Sequence, residues 1–282
     1  MRLRLVVAFL LILFASPVFM VFSGTVHLGH DWRAVRWDSA GLAPDPAKTL
    51  EAVVQVYAAR AFSWRGLFGV HTWIATKPAH APHFTVHQVI GWRLFHGLAV
   101  VSSRPDIPDR YWGGNPPEIL ADLRDSEAAD AIGKIMDAME AYPYTHAYHL
   151  WPGPNSNTFT AYVARRVPEL RLSLPVTAMG KDYPIHSGLV DRAPSGTGYQ
   201  LSIYGLAGLL IAKREGIELN LLGLSFGVDP VRPALKLPFI GRLGFHAKLT
   251  VSRPSAPSPR PLQPLPQYSV FVPHPPGPLV GD

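Results

Sequence analysis

The 282-residue sequence contains no cysteine, and charged residues make up only 16% of it. Without cysteine the chain cannot form disulfides, thiolate metal sites or a cysteine nucleophile. Basic residues never run beyond two in succession and no nucleic-acid-binding motif is present, so we expect no nucleic-acid partner. The motif His-Glu-x-x-His is also missing. His83 and His87 on one strand would lie about 13 Å apart, too far to share a zinc ion. The sequence therefore predicts neither a metal site nor a cofactor.

The N-terminus carries the longest apolar run. Arg2 and Arg4 precede Leu5–Phe22, eighteen residues without a charge. The run is longer than a typical signal-peptide core and no Ala-x-Ala cleavage site follows it. We therefore favour an uncleaved membrane anchor over a cleaved signal peptide for residues 1–24. Because the positive residues precede the run, we expect the bulk of the chain to lie outside the cytoplasm.

Three regions follow the anchor. We predict an α+β core domain over residues 30–170 and a loop-rich and hairpin extension over residues 171–251. The last segment, residues 252–282, has ten prolines in 31 residues and is predicted to be a disordered tail. In the extension, two apolar glycine-bearing runs favour a hairpin that turns near Gly216, although the first run could instead be a helix. These runs are Tyr199–Ala212 and Ile217–Val228. Their apolar character, beside Lys213 and Arg214, also suggests contact with a membrane.

Local patterns predict the elements of the core domain. Asp45-Pro46 is typical of a helix start, and apolar residues at helical spacing continue that helix to about Phe62. The other predicted elements are strands in Gly66–Thr76, Phe84–Trp92 and Tyr144–Leu150, and helices over Asn115–Leu123, after Ser126 and over Asn157–Val167.

His71 is the first candidate for chemistry, because it lies in the middle of an apolar predicted strand. If Lys77–His83 closes a hairpin, positions whose numbers sum to about 159 face each other. His71 then lies opposite His87 or Gln88, and a one-residue slip decides the face that each side chain occupies. His71 is either a satisfied core histidine or a general base oriented by one of these neighbours.

The second candidate is Trp151–Phe159, where a Pro/Gly turn delivers Ser156 to the first turn of a helix. Ser156 is a possible nucleophile, and the amides of Asn155 and Asn157 could stabilise an oxyanion. Alternatively, Asn155 or Ser156 merely caps the helix. A helix N-terminus stabilises a negative charge by only about 0.3–1 kcal/mol. Ser156 therefore needs a base within hydrogen-bond reach to act as a nucleophile.

Several long motifs resemble domain of unknown function 3750, an uncharacterised proteobacterial family. The resemblance rests on Val56–Ala61, on Val70–Ala75 and on Trp151–Phe159, among other motifs, and covers about residues 30–170. The family implies no established activity.

A remoter resemblance is to permuted papain-like hydrolases of the lecithin–retinol acyltransferase-like group. His71 matches their early-strand histidine, and Asn155–Phe159 matches their Asn-Cys-x-x-Phe element with Ser156 in place of cysteine. His87 could take the place of the third polar residue. The resemblance implies an antiparallel sheet with packed helices, and a hydrolase or acyltransferase acting on an amide or ester.

Two functions follow from these observations. An exported Ser–His hydrolase or acyltransferase could act on peptidoglycan peptides or lipids. The alternative is a catalytically inactive papain-like module that binds or scaffolds a peptidoglycan, lipid or protein partner in the cell envelope, because serine replaces the expected cysteine.

Overall fold

The computed structural model describes residues 4, 15, 17–24, 26, 31–185 and 188–245. Contacts divide the chain into two units, Met1–Leu249 and Thr250–Asp282. The second unit and the predicted proline-rich tail at 252–282 lie outside the described residues, as does most of the predicted anchor at 1–24. Among the helices that are described, none combines the length and the hydropathy needed to cross a bilayer.

The described chain is an α+β structure with two antiparallel sheets. The first sheet has five strands in the order β4-β3-β2-β1-β5. These strands are β1 (Val53–Arg60), β2 (Val70–Lys77), β3 (Thr85–Val89), β4 (Val101–Pro105) and β5 (Glu118–Arg124). Short 3₁₀-helices occupy Ser63–Leu67, Gly91–His96 and Pro168–Leu170.

Two α-helices, α1 (Asp125–Glu140) and α2 (Ser156–Arg166), pack on one face of this sheet. We call it the helix face. The main hydrophobic core lies there, where Val54, Val56 and Ile74 of the strands meet Phe159 of α2. We call the opposite face the tryptophan face, because it carries Trp73 against Trp112. The five-stranded sheet is therefore covered on both sides.

The predicted helix from Pro46 to Phe62 is wrong, because its second half is strand β1, paired with both β2 and β5. Seven of the eight residues of β1 are buried. A strand covered on both faces reads as a continuous apolar run, and such a run also satisfies helical spacing. The β-branched residues Val53, Val54 and Val56 were the signal that favoured a strand.

Two further elements differ from prediction. The segment after Asn115 forms strand β5 instead of a helix, because its backbone pairs with the edge of β1. The predicted strand at Tyr144–Leu150 is irregular. By contrast, the helix predicted over Asn157–Val167 is confirmed as α2, and the helix predicted after Ser126 is confirmed as α1, which begins at Asp125.

The predicted turn at Lys77–His83 does join two paired strands, with a register two residues away from the expected one. Ile74 pairs with His87, so the paired numbers sum to 161 instead of 159. Because strand side chains alternate with a period of two, a shift of two residues leaves the faces unchanged. His71 therefore shares a face with Gln88, while His87 points to the other face.

The second sheet has seven strands in the order β12-β11-β10-β9-β8-β7-β6. The strands are β6 (Val190–Arg192), β7 (Gly198–Ile203), β8 (Ala207–Ala212), β9 (Gly216–Leu221), β10 (Leu224–Asp229), β11 (Ala234–Leu237) and β12 (Gly241–Gly244). The hairpin predicted around Gly216 is confirmed as β8–β9. However, each predicted run forms two strands, because Gly205 and Gly223 adopt φ values of 69° and 76° in tight turns. The helix alternative for the first run is wrong, since this run is β7 and β8.

Candidate functional site

The turn before α2 ends in a helix cap formed by Asn155. Cis peptide bonds at Trp151–Pro152 and Gly153–Pro154 bring the chain to this residue. The Asn155 Oδ1 atom accepts hydrogen bonds from the backbone N–H groups of Asn157, at 3.0 Å, and Thr158, at 3.2 Å. The Thr158 hydroxyl accepts one in return from the Asn155 N–H at 3.1 Å. This arrangement is a capping box, and it confirms that Asn155 caps the helix.

The amide groups of both asparagines are already occupied. Asn155 Nδ2 donates to the carbonyl oxygens of Leu150 and Met179, both at 3.1 Å. Asn157 Nδ2 donates to the carbonyl oxygens of Val70, at 3.0 Å, and Met179, at 2.8 Å. A primary amide has two N–H bonds to offer. Neither side chain therefore has a donor left for an oxyanion; instead they tie the start of α2 to β2 and to the loop at Met179.

Ser156 is the first residue of α2 and is 4% exposed. Its carbonyl oxygen accepts a hydrogen bond from Thr72 Oγ1 at 3.4 Å, and the same hydroxyl donates to Asn157 Oδ1 at 3.0 Å. Thr72 shares the helix face with Ile74, so Ser156 lies against that face of the sheet. Within the part of the chain that the structure describes, no hydrogen bond involves the Ser156 hydroxyl.

His71 lies on the tryptophan face instead. Its ring stacks on Trp112, with centroids 3.8 Å apart and planes 14° from parallel, and its Nε2 lies 3.0 Å from Gln88 Oε1. The residue is 8% exposed. Of the two neighbours predicted for His71, His87 and Gln88, the structure therefore places Gln88 beside it. It does not bring His71 to Ser156, because the two residues lie on opposite faces of the same sheet.

The surroundings of His71 make it a weak base. Burial lowers the pKa of His71 to about 4, and the hydrogen bond to Gln88 opposes this shift only in part. An amide oxygen only accepts hydrogen bonds, so Nε2 carries the proton of the neutral ring and donates to Gln88. A general base is most effective when its pKa lies near the working pH. His71 in this environment is suited to a structural role in the sheet.

His87 is enclosed separately on the helix face. Its Nε2 lies 2.8 Å from Thr76 Oγ1, its Nδ1 lies 2.8 Å from Ser103 Oγ, and the residue is 1% exposed. Burial lowers its pKa to about 4. Because both ring nitrogens bind hydroxyls on its own face, His87 does not orient His71. A search of the described residues finds no group of three or more histidine or acidic side chains that could hold a metal ion.

A buried charge cluster around Asp182 was not predicted from the sequence. Lys181 Nζ lies 3.0 Å from Asp182 Oδ1 and 2.7 Å from Glu218 Oε2, and Lys236 Nζ lies 2.6 Å from Glu218 Oε1. The side chains are 2–6% exposed. Burial alone lowers the pKa of Lys181, but the two neighbouring carboxylates outweigh it and raise that pKa above its usual value. Lysine and acids are thus held charged in the interior.

Polar side chains from the second sheet complete this cluster. Asp182 accepts hydrogen bonds from Gln200 Nε2 at 2.8 Å, Asn220 Nδ2 at 2.9 Å and Ser225 Oγ at 3.0 Å. We call the surface formed by Gln200, Glu218, Asn220, Ser225 and Lys236 the inner face of the seven-stranded sheet. The sequence signal was the alternation of polar with apolar residues along the strands, as on β9, where Glu218 and Asn220 alternate with Ile217, Leu219 and Leu221.

The other surface of the seven-stranded sheet, its outer face, is apolar and exposed. Twelve large side chains on this face are 39–66% exposed. They are Val190, Tyr199, Leu201, Ile203, Leu209, Ile211, Ile217, Leu219, Leu221, Val228, Leu235 and Leu243. The usual arrangement of a half-covered antiparallel sheet, apolar residues inward and polar residues outward, is therefore reversed.

Comparison with known proteins places part of this structure in a family. Residues 51–183 match the family described as "Protein of unknown function (DUF3750)", and this segment contains the five-stranded sheet and both helices. No curated protein and no solved structure matches the chain, so neither comparison supports the resemblance to papain-like hydrolases. The resemblance to domain of unknown function 3750 is confirmed over the matched residues. Residues 51–183 of this chain are a DUF3750 family domain.

Proposed function

We propose that this protein is a non-catalytic binding or scaffolding module of the bacterial cell envelope. In this proposal the apolar run Leu5–Phe22 holds it at the inner membrane and the bulk of the chain is periplasmic. The observation that carries the binding role is the outer face of the seven-stranded sheet. Its twelve large side chains, each 39–66% exposed, are spread over all seven strands. Large contiguous apolar patches on a protein surface mark sites of interaction with proteins or membranes.

The exposure of these side chains indicates that the outer face binds a partner and does not form part of the hydrophobic core of this chain. Leu209 and Leu219 face outward at 39% and 45% exposure, while Glu218 and Lys236 on the reverse side are 2% and 5% exposed. Side chains that stay half in solvent gain only part of the free energy of burial when the chain folds. The remaining gain is available to a partner that covers the face.

The serine hydrolase or acyltransferase of the papain-like type is the second candidate. The feature in its favour is the Ser156 hydroxyl at a helix N-terminus. A nucleophilic serine needs a base within about 2.6–3.2 Å. The position of His71 weighs against this candidate. On the face of the sheet away from Ser156, His71 donates a hydrogen bond to Gln88 and stacks on Trp112.

A paired experiment on the full chain in bacterial cells separates the two candidates. A photo-crosslinking amino acid replaces Leu219 on the outer face or, as the control, Ala129, which is exposed on α1. We expect irradiation to give adducts at position 219 and few at position 129. We also expect a fluorophosphonate probe to leave Ser156 unlabelled. Labelling of Ser156 that disappears in His71→Ala, with no adducts at position 219, would contradict the proposal and favour the hydrolase.

A further inference from the structure

We propose that the outer face of the seven-stranded sheet docks on the surface of an anionic lipid bilayer. The inference rests on the proposed function, because it names the partner of that binding surface. Three observations carry it: the continuity of the apolar face, the sign of the charges around it, and the kind of side chains at its two ends.

The apolar face is continuous from one strand to the next. Strand pairing places Leu201 opposite Leu209, Leu209 opposite Leu219, and Leu219 opposite Phe226. A neighbouring row crosses six strands in the same way. It consists of Tyr199, Ile211, Ile217, Val228, Leu235 and Leu243. Arg192, the one charged side chain in register with these rows, pairs with Tyr199 at the margin of the face. The outer face therefore offers a single uncharged area.

The accessible charges around this face are almost all positive. Five cations in residues 188–245 are exposed or partly exposed, and two of them, Arg232 and Arg242, pair with the buried Asp229. The five are Arg192, Lys213, Arg214, Arg232 and Arg242. Asp191 is the one acidic side chain of these residues that is not buried, since Glu215, Glu218 and Asp229 are 1–2% exposed. Such a surface complements anionic headgroups, which attract Lys and Arg near the membrane.

These cations gather at one end of the sheet. Lys213 and Arg214 lie in the β8–β9 turn, and Arg232 lies in the neighbouring β10–β11 turn. Arg242, on β12 in register with Lys236 of the inner face, donates to Asp229 at 2.9 Å near the same end. A cationic end beside an apolar face is the arrangement of an interfacial membrane-binding surface.

The opposite end of the sheet carries apolar and aromatic side chains. Tyr204 and Leu222 are both 70% exposed in the β7–β8 and β9–β10 turns. Trp151 of the DUF3750 domain is 51% exposed and donates from its indole N–H to the Leu222 carbonyl at 3.0 Å. Tyr and Trp favour the membrane–water interface, because one end of each ring is polar and the other apolar. The apolar surface thus continues onto the DUF3750 domain.

Charge also distinguishes a lipid surface from a second copy of this chain. A symmetric dimer through the outer face would bring two identical surfaces together. A dimer that brings the same ends of the two sheets together would set Lys213 and Arg214 of one copy near those of the other, and like charges facing each other oppose association. An anionic bilayer removes this conflict. The uncharged run Leu5–Phe22 in the sequence gives an independent reason to find the chain beside a membrane.

The docking must be shallow. The described sheet ends at the edge strands β6 and β12, and backbone groups at sheet edges cannot be satisfied in the hydrocarbon core. The strands therefore rest at headgroup level while their side chains enter the headgroup–acyl boundary. Interfacial segments bury their apolar faces about 5–10 Å deep in this region.

Site-specific fluorescence on the full chain tests the inference. Because the sequence has no cysteine, Leu219→Cys and the control Ala129→Cys each carry one environment-sensitive label. Each protein is mixed with phosphatidylcholine vesicles, with or without phosphatidylglycerol, that contain a lipid-borne quencher near the headgroups. We expect the label at position 219 to be quenched severalfold more than the label at position 129. We expect phosphatidylglycerol to increase this difference and added salt to reduce it.

A second pair of variants tests the role of charge without altering the apolar face. Lys213→Gln should lower the quenching at position 219 severalfold on phosphatidylglycerol vesicles, while Lys134→Gln, an exposed lysine on α1, should not. Equal exposure of both labels to water on every vesicle would overturn the inference. So would a dimer that protects position 219 without lipid. If crosslinking in cells then still gives protein adducts at position 219, the binding function stands without the lipid partner; if it gives none, both proposals fail.

Discussion

The two antiparallel sheets of this chain bury opposite kinds of side chain. The five-stranded sheet is covered on both faces, so that Tyr57 and Ile74, on different faces, are each 0% exposed. The seven-stranded sheet has one covered face, and that face is polar. Asp182 and Lys181 lie beneath it and bind its polar side chains. The difference shows that a covered sheet face need not be the apolar one when buried ion pairs are available to it.

Asp182 and Lys181 also explain why the second sheet is oriented this way. Both residues lie at the end of the segment that matches the DUF3750 family, residues 51–183. Reversing the seven-stranded sheet would leave their charges buried against leucines, and an unpaired buried charge is strongly unfavourable. The DUF3750 domain therefore ends in the residues that select which face of the second sheet is turned inward.

The largest expected effect comes from removing the charge that holds the inner face. Lys181→Ala should lower the free energy of unfolding by about 3–5 kcal/mol, because it leaves the Asp182 carboxylate buried without a cationic partner and Glu218 with Lys236 alone. Urea denaturation followed by tryptophan fluorescence measures the change. Glu127→Gln, which breaks the exposed pair with Arg171, is the control and should cost at most about 1 kcal/mol. Equal losses in the two variants would show that the buried cluster does not hold the sheet.

Truncating one aliphatic residue in each sheet compares their apolar faces directly. Ile74→Ala removes a side chain that is 0% exposed and should cost about 2–5 kcal/mol. Leu219→Ala removes one that is 45% exposed and should cost less than about 1 kcal/mol in the absence of a partner. Thermal and urea unfolding in detergent-free buffer give both values. A loss at Leu219 as large as at Ile74 would mean that the outer face is packed within the protein.

The five-stranded sheet should also respond to pH through its two buried histidines. Because the folded-state pKa values of His71 and His87 are lowered to about 4, the unfolded chain binds protons more readily between about pH 6.5 and pH 4. Stability should therefore be complete above pH 6.5 and fall as the pH drops through this window. Each histidine contributes at most about 1.4 kcal/mol per pH unit. His87→Gln should flatten the dependence, as measured by urea unfolding at several pH values. An unchanged slope would show that His87 is not buried as a neutral ring.

The smallest effect separates capping from nucleophilic chemistry at the start of α2. Asn155→Ala removes the helix cap and should cost about 0.5–2 kcal/mol. Ser156→Ala removes a hydroxyl without a described partner and should change stability by no more than about 0.5 kcal/mol. Denaturation curves of both variants at one pH provide the comparison. A larger loss from Ser156→Ala than from Asn155→Ala would reverse the assignment of the cap.

The local signals of the sequence predicted α2, its start at the Pro/Gly turn and the β8–β9 hairpin. They failed at β1, because a strand buried on both faces has no alternation to distinguish it from a helix. They also counted two strands where Gly205 and Gly223 divide the runs into four. Periodicity shows that residues alternate between faces, but it does not show which face is covered.

For the candidate site, too, the sequence predicted which residues share a strand face, but it did not predict what packs against that face. The alternation of side chains along a strand places Gln88 and His87 on opposite faces of the sheet. The hairpin register then places Gln88 on the same face as His71. The position of Ser156 depends on the face against which α2 packs, and no pattern within β2 or α2 encodes that choice. The alternation along β9 predicted that the second sheet has one polar and one apolar face. Only the structure, which places Lys181 and Asp182 against the polar face, shows that the polar face is the covered one.

Oxidative footprinting of the unmodified full chain tests the central claim most directly. Leu209 and Leu210 are adjacent on β8 and chemically identical, but Leu209 is 39% exposed on the outer face and Leu210 is 2% exposed on the inner face. We predict that hydroxyl radicals oxidise Leu209 much faster than Leu210 in buffer, and that vesicles containing phosphatidylglycerol protect Leu209 selectively. Oxidation of Leu210 at a rate equal to or above that of Leu209 would contradict the reversed sheet and, with it, the proposed binding face.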